Sequence, residues 1–112
     1  LIPIKSKNLD RQLLNFAKYQ GAGNDFVIVD ALETPVHLTV GHIQQICDRR
    51  FGVGADGLIF IRSSDDVDYE MVYHNADGNV GSMCGNGARC AFTFARLRGY
   101  VGDSADFMAC DG

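Results

Sequence analysis

At 112 residues the chain is long enough for one domain with a single core, and 46% hydrophobic against 21% charged residues excludes a disordered segment. A formal charge of −4, with basic residues scattered, argues against a nucleic-acid partner or an anionic membrane surface, either of which wants a basic patch. No apolar run approaches about 20 residues, so no membrane-spanning helix is expected, and no signal peptide is recognisable at Leu1.

In chain order, residues 1–15 show no cap and no hydrophobic period, and read as an N-terminal extension or loose arm ahead of a domain over 16–112. Phe16–Gln20 reads as a short strand. After the turn Gly21-Ala-Gly-Asn-Asp25, the β-branched and aromatic run to Ala31 is too short for a helix and reads as a buried strand. Asn24 sits in that turn, where asparagine commonly supports the chain reversal. The residues alone favour this structural role over a ligand contact.

A helix follows with clear signals at both ends. Thr39 is the expected N-cap, Leu38 and Ile43 form a hydrophobic staple, and Gly52 is the expected C′ residue. Val40, Ile43, Ile46 and Cys47 share one face, which makes Cys47 a core residue and leaves His42 solvated. The next loop, Gly52-Val-Gly-Ala-Asp-Gly57, lacks the spacing of a phosphate cradle. Leu58–Arg62 reads as a strand. Val67–His74 alternates, with Val67, Tyr69, Met71 and Tyr73 opposite Asp68, Glu70, Val72 and His74, the pattern of a sheet wet on one side or edged by solvent.

The stretch from Asn75 to Cys90 begins as a polar turn, becomes a glycine-rich loop with glycines at 78, 81, 85 and 87, and enters a helix at about Gly85–Asn86. Cys84 stands just before that helix start. Unpaired N–H groups and the macrodipole there lower a thiol's pKa, and the same N–H groups hold anions. A lone cysteine is also common packing material, so the residues leave both readings of Cys84 open. From Ala88 to Leu97 the helix is apolar except for Arg89, Thr93 and Arg96, and Gly99 closes it. So little polar surface predicts a helix surrounded by protein, with Cys90 in the core. The expected fold class is α/β of the α+β type, a curved mixed sheet wrapped around this central helix. Asp106–Cys110 reads as a last strand, and Asp111-Gly112 as a turn awaiting a partner strand, which suggests a chain that continues.

Four motifs in order, Gly21-Ala-Gly-Asn-Asp-Phe26, Gly52-Val-Gly-Ala-Asp-Gly57, Asn75-Ala-Asp-Gly78 and Cys84-Gly-Asn-Gly-Ala-Arg-Cys90, resemble diaminopimelate epimerase over about Phe16 to Gly112. The resemblance implies one of two pseudo-symmetric halves, with the active site in the cleft between them and the C-terminal half absent here. It implies a cofactor-independent isomerase that interconverts LL- and meso-2,6-diaminopimelate in lysine and peptidoglycan precursor biosynthesis, as a cytoplasmic homodimer when full length. Cys84 would be one of two catalytic cysteines, the second coming from the missing half. Asn24, Asn75, Gly85 and Asn86 match substrate-holding positions, which turns the reading of Asn24 towards the ligand. The position of Gly57 is often a substrate-contacting Gln in the family, and here it offers no side chain. The extension before Phe16 is outside the family's pattern. No pyridoxal phosphate is implied, and lysines occur only at 5, 7 and 18, none in a Schiff-base setting.

Two other classes compete. A thiol-dependent hydrolase or oxidoreductase would pair Cys84 with a histidine, His74 being nearest in sequence. A metal-binding module would use cysteines 47, 84, 90 and 110, but their spacings lack a CxxC knuckle. Nor do those spacings suggest a disulfide framework, so a reduced, cytosolic protein is expected. Another isomerase of the proline racemase-like group is a third alternative.

Overall fold

A computed structural model describes residues 2–5, 11–14, 16–21, 23–81 and 85–110. Nine elements follow one another: β1 (Ile2–Lys5), β2 (Arg11–Leu14), β3 (Phe16–Gly21), β4 (Asn24–Ala31), α1 (Val40–Cys47), β5 (Gly57–Arg62), β6 (Tyr69–Asn75), α2 (Gly85–Leu97) and β7 (Phe107–Cys110). The first two pair antiparallel as a separate ribbon, Ile2 opposite Leu14, where a loose arm is expected from the sequence.

The other five strands form one mixed sheet in the order β3-β4-β5-β6-β7. Antiparallel pairs (β3 with β4, β5 with β6) alternate with parallel pairs (β4 with β5, β6 with β7). A parallel pair needs a crossover, and a helix supplies each one: α1 between β4 and β5, α2 between β6 and β7. The two helices lie on opposite faces. Ile43, Ile46 and Cys47 of α1 pack with Val27, Val29, Leu58, Phe60 and Val72. Cys90, Ala91, Phe94 and Ala95 of α2 pack with Phe26, Ile28, Ile59, Ile61, Tyr69 and Met71. The α+β class with a mixed sheet packed on α2 is thus observed.

Several sequence expectations change in detail. β6 has no wet face, because Val72 is buried in the α1 cluster. Glu70 and His74 suggested solvent, but they sit at the two ends of a face whose middle is covered. α2 is covered on one side only. Gly87, Cys90, Ala91, Phe94 and Ala95 are buried at helical spacing, whereas Phe92 is half-buried and Leu97 is 73% exposed.

The helix ends explain themselves physically. Thr39 accepts the His42 N–H at 3.1 Å, and His42 Nδ1 accepts the Thr39 N–H at 3.2 Å, so His42 completes a capping box where a solvated side chain is expected from the sequence. α1 stops at Asp48, ahead of Gly52, because the Asp48 carboxylate accepts the N–H groups of Arg50 and Phe51 and turns the chain there. α2 ends as expected at Gly99 (φ 78°), with N–H bonds from Gly99 to Arg96 and from Tyr100 to Ala95. Just beyond, the Tyr100 hydroxyl donates to Asp30 Oδ2 at 2.6 Å, and that bond pushes the phenol up to about 12. The far end of α2 is thereby tied to the end of β4.

Candidate active site

Strand register brings the distant motifs to one end of the sheet. Phe26 of β4 stands opposite Gly57, the first residue of β5, and Gly57 stands opposite Asn75, the last residue of β6. Asn24 opens β4, and α2 starts at the same end. By the period-two alternation of the strands, Asn24, Phe26, Gly57, Tyr73 and Asn75 belong to the α2 face.

Two of the sequence-predicted residues, Asn24 and Asn86, form a connected group with Asp56 and Arg89. Asn86 Nδ2 donates to Asn24 Oδ1 at 3.1 Å, and Asn24 Nδ2 donates to Asp56 Oδ2 at 3.4 Å. Arg89, one turn further along α2, donates to Asn86 Oδ1 and so fixes its amide orientation. Gly85 is exposed at the start of α2. Asn75 is joined to this group through the sheet register. The Asn75 amide lies over Gly81, where an added Cβ would meet its Nδ2 at 2.6 Å. The Asn75 carbonyl accepts the Gly78 N–H at 2.9 Å, and its N–H donates to the Asn79 carbonyl at 2.9 Å, which closes a tight turn. Gly78 has φ 92°, and a Cβ there would stand 2.6 Å from the Val40 carbonyl oxygen. The turn carrying Asn75 is thus packed directly on the first residue of α1. Cys84 itself lies outside the described residues.

An ionic cluster that sequence reasoning did not identify holds the Asn24 turn in place. Arg49 grips Asp25 with two hydrogen bonds, of 2.7 and 3.0 Å, and reaches Asp56 at 3.0 Å. Lys18 lies 3.1 Å from Asp25 and also donates to the Gly54 carbonyl. The main chains join as well, since the Asp25 N–H donates to the Asp56 carboxylate and the Asp56 N–H to the Asp25 carbonyl, each at 3.0 Å. The Arg49 guanidinium, opposed by partial burial and aided by Lys18 and Asp56 N–H, holds the Asp25 carboxyl well below the usual carboxylate range. The only sequence signal was an aspartate in each of two glycine-rich loops. Asn24 is thus set between a rigid ionic clamp and the start of α2.

The other thiols and histidines fall elsewhere. Cys47 and Cys90 are buried, as expected, and burial pushes the Cys47 thiol up to about 11. His74 lies on the α1 face, edge-on to Phe60 at 5.5 Å, with Nδ1 3.0 Å from the Gly78 carbonyl oxygen. It is across the sheet from α2. Among the described residues, no helix is long and apolar enough to cross a membrane.

Residues 16–108 match the family described as diaminopimelate epimerase. Over 96 residues the chain is 47% identical to a diaminopimelate epimerase of Flavobacterium psychrophilum, covering 85% of this chain and 38% of that protein. Over 79 residues it is 52% identical to one from Chlorobaculum tepidum, covering 70% and 31% respectively. The chain therefore spans about a third of the length of these relatives. Its fold is similar to that of a Bacillus anthracis phenazine biosynthesis protein of the PhzF family, with a TM-score of 0.56, 26% identity, and coverage of 85% of this chain and 30% of that one. With the family match spanning most of its residues and both relatives identical to it at about half of the aligned positions, the chain belongs to the diaminopimelate epimerase family.

Proposed function

We propose that this chain is the N-terminal half of a cofactor-independent epimerase that interconverts LL- and meso-2,6-diaminopimelate, a step serving lysine and peptidoglycan precursor synthesis. One observation carries the reading: Asn24, Asn86 and the exposed start of α2 meet at one end of the sheet, and Cys84 is the residue immediately before that helix. Inverting an α-carbon needs a base on one face and an acid on the other. The Cys84 thiolate takes the α-proton, breaking the C–H bond and leaving its electron pair on the α-carbon. A thiol on the opposite face, from sequence outside this chain, delivers a proton to that carbon. The roles exchange in the reverse direction, so no atom is gained or lost. Charge developing next to the substrate carboxylate is stabilised by the N–H groups of Gly85 and Asn86, and a closed cleft strengthens that stabilisation. Asn24 and Asn75 supply amide contacts to the bound amino acid. The full-length protein acts as a homodimer.

The test follows stereochemistry and deuterium at the α-carbon of LL-diaminopimelate in D2O, for the full-length protein and for the 112-residue chain separately. The full-length protein should invert the centre and incorporate deuterium. The 112-residue chain should not invert it, lacking the second thiol. A full-length protein inert towards diaminopimelate overturns the reading, and sustained inversion by the 112-residue chain overturns the division of the site into two halves.

A further inference from the structure

Two charged groups stand at the ends of the Asn24–Asn86 pair. Arg89 donates to Asn86 Oδ1, Asn86 Nδ2 donates to Asn24 Oδ1 at 3.1 Å, and Asn24 Nδ2 donates to Asp56 Oδ2 at 3.4 Å. Arg49 closes the far end, donating to Asp56 Oδ1 at 3.0 Å. A guanidinium only donates and a carboxylate only accepts, whereas an amide does either. With a donor fixed at one end and an acceptor at the other, every bond in between has one direction. Turning Asn86 round would set N–H against guanidinium, and turning Asn24 round would set carbonyl against carboxylate. Both amides are therefore held in one orientation.

Helix stability does not account for the placing of Arg89. It stands one turn into α2, and its guanidinium folds back over the helix start, where a Cβ on Gly85 would meet Arg89 Nη1 at 3.9 Å. The macrodipole opposes a cation there, and the first turn holds no acidic residue to offset it. Arg96 and Arg98, near the C-terminal end where the dipole favours a cation, pair with Asp103 and Asp30. None of the ion pairs among the described residues includes Arg89.

We infer that Arg89 is a positioning residue for the proposed epimerisation: acting through Asn86, and opposed by Asp56 at the other end, it fixes the polarity of the Asn24–Asn86 pair that meets the substrate. The inference rests on the epimerase reading above. Each amide nitrogen carries a second N–H beyond the one used in the relay, and each carbonyl oxygen a second lone pair. A relay of one polarity fixes where those groups sit before the amino acid arrives. Binding then requires no reorientation of either amide.

The experiment measures kcat, KM and, by calorimetry, affinity for diaminopimelate on the full-length protein and its variants, with circular dichroism to confirm folding. Arg89→Met keeps an unbranched side chain and removes the donor. It should raise KM roughly tenfold with a smaller change in kcat, since the amides hold the substrate in the ground state and the transition state alike. Arg89→Glu puts an acceptor where the relay needs a donor, and should lose more than Arg89→Met. In an Asn86→Ala background, Arg89→Met should add less than about twofold, because the group it acts through is gone. A loss from Arg89→Met that is undiminished in that background overturns the inference, since Arg89 would then act directly on the substrate or on the helix. A wild-type KM in Arg89→Met, or a milder effect from Arg89→Glu than from Arg89→Met, overturns it too. In each case an active wild type leaves the epimerase reading standing. If the wild type neither binds nor inverts diaminopimelate, the epimerase reading fails and takes this inference with it.

Discussion

Gly78 and Gly23 share a backbone angle, φ 92°, but not an environment, and the contrast yields a quantitative prediction. A Cβ on Gly23 would meet nothing within 4 Å, whereas on Gly78 it would stand 2.6 Å from Val40 Cγ1, 2.6 Å from the Val40 carbonyl oxygen and 3.0 Å from Val40 Cα. Gly23→Ala therefore bears only the left-handed conformation, about 1–2 kcal/mol for a residue with a Cβ. Gly78→Ala adds overpacking against main chain that cannot rotate away, about 1–3 kcal/mol more. With a urea m-value of about 2 kcal/mol/M, the midpoint should fall by roughly 0.5–1 M for Gly23→Ala and roughly 1–2.5 M for Gly78→Ala. Urea titrations of both variants followed by circular dichroism supply the comparison. The turn bearing Asn75 would also be pushed off α1 in Gly78→Ala, so substrate affinity should drop with stability. Equal midpoints for the two variants would refute the claim that this turn is packed tightly on α1.

Two further expectations concern ionisation. Because the folded Asp25 carboxyl titrates below its ordinary value of 3.8, its clamp contributes stability above that pH and loses it as pH falls further towards the folded value. Asp25→Asn should thus be less stable than wild type near neutrality, and the gap should narrow below about pH 4. A gap unchanged between pH 7 and pH 2 would show that charge is not what holds the two loops together. Alkylation under native conditions at neutral pH, followed by peptide mapping, should label Cys84 well ahead of buried Cys47 and Cys90, the former with its thiol raised to about 11. Prior labelling of either buried cysteine would misplace the proposed nucleophile.

What could be read from the sequence was local. The start of α2 was legible because a glycine-rich loop gives way there to an apolar period, and Thr39 was legible because an N-cap and its staple lie within five residues. The buried nature of β4 followed from its unbroken apolar run. Errors arose where distant residues decide. The α1 face of β6 looked wet because Glu70 and His74 are polar, yet α1 covers the Val72 between them. The clamp joins Asp25 to Asp56, 31 residues apart, and no periodic pattern announces such a contact. Asn24 shows the same limit: in sequence it is a turn residue, and only the fold gives it Asn86, 62 residues away, as a partner.

The tie between Tyr100 and Asp30 makes α2 a lever with its fulcrum at the far end. A helix of 13 residues is about 20 Å long, so a tilt of only about 3° about that fulcrum sweeps its free end through about 1 Å. Proton transfer tolerates little more misplacement than that before rate is lost. The Asn86–Asn24 bond acts at the moving end, where a restraint has its greatest mechanical advantage. Alignment at the proposed site is therefore an angular property of the whole helix, and loosening Tyr100, at the opposite end of α2, should detune it without touching any residue proposed to meet the substrate.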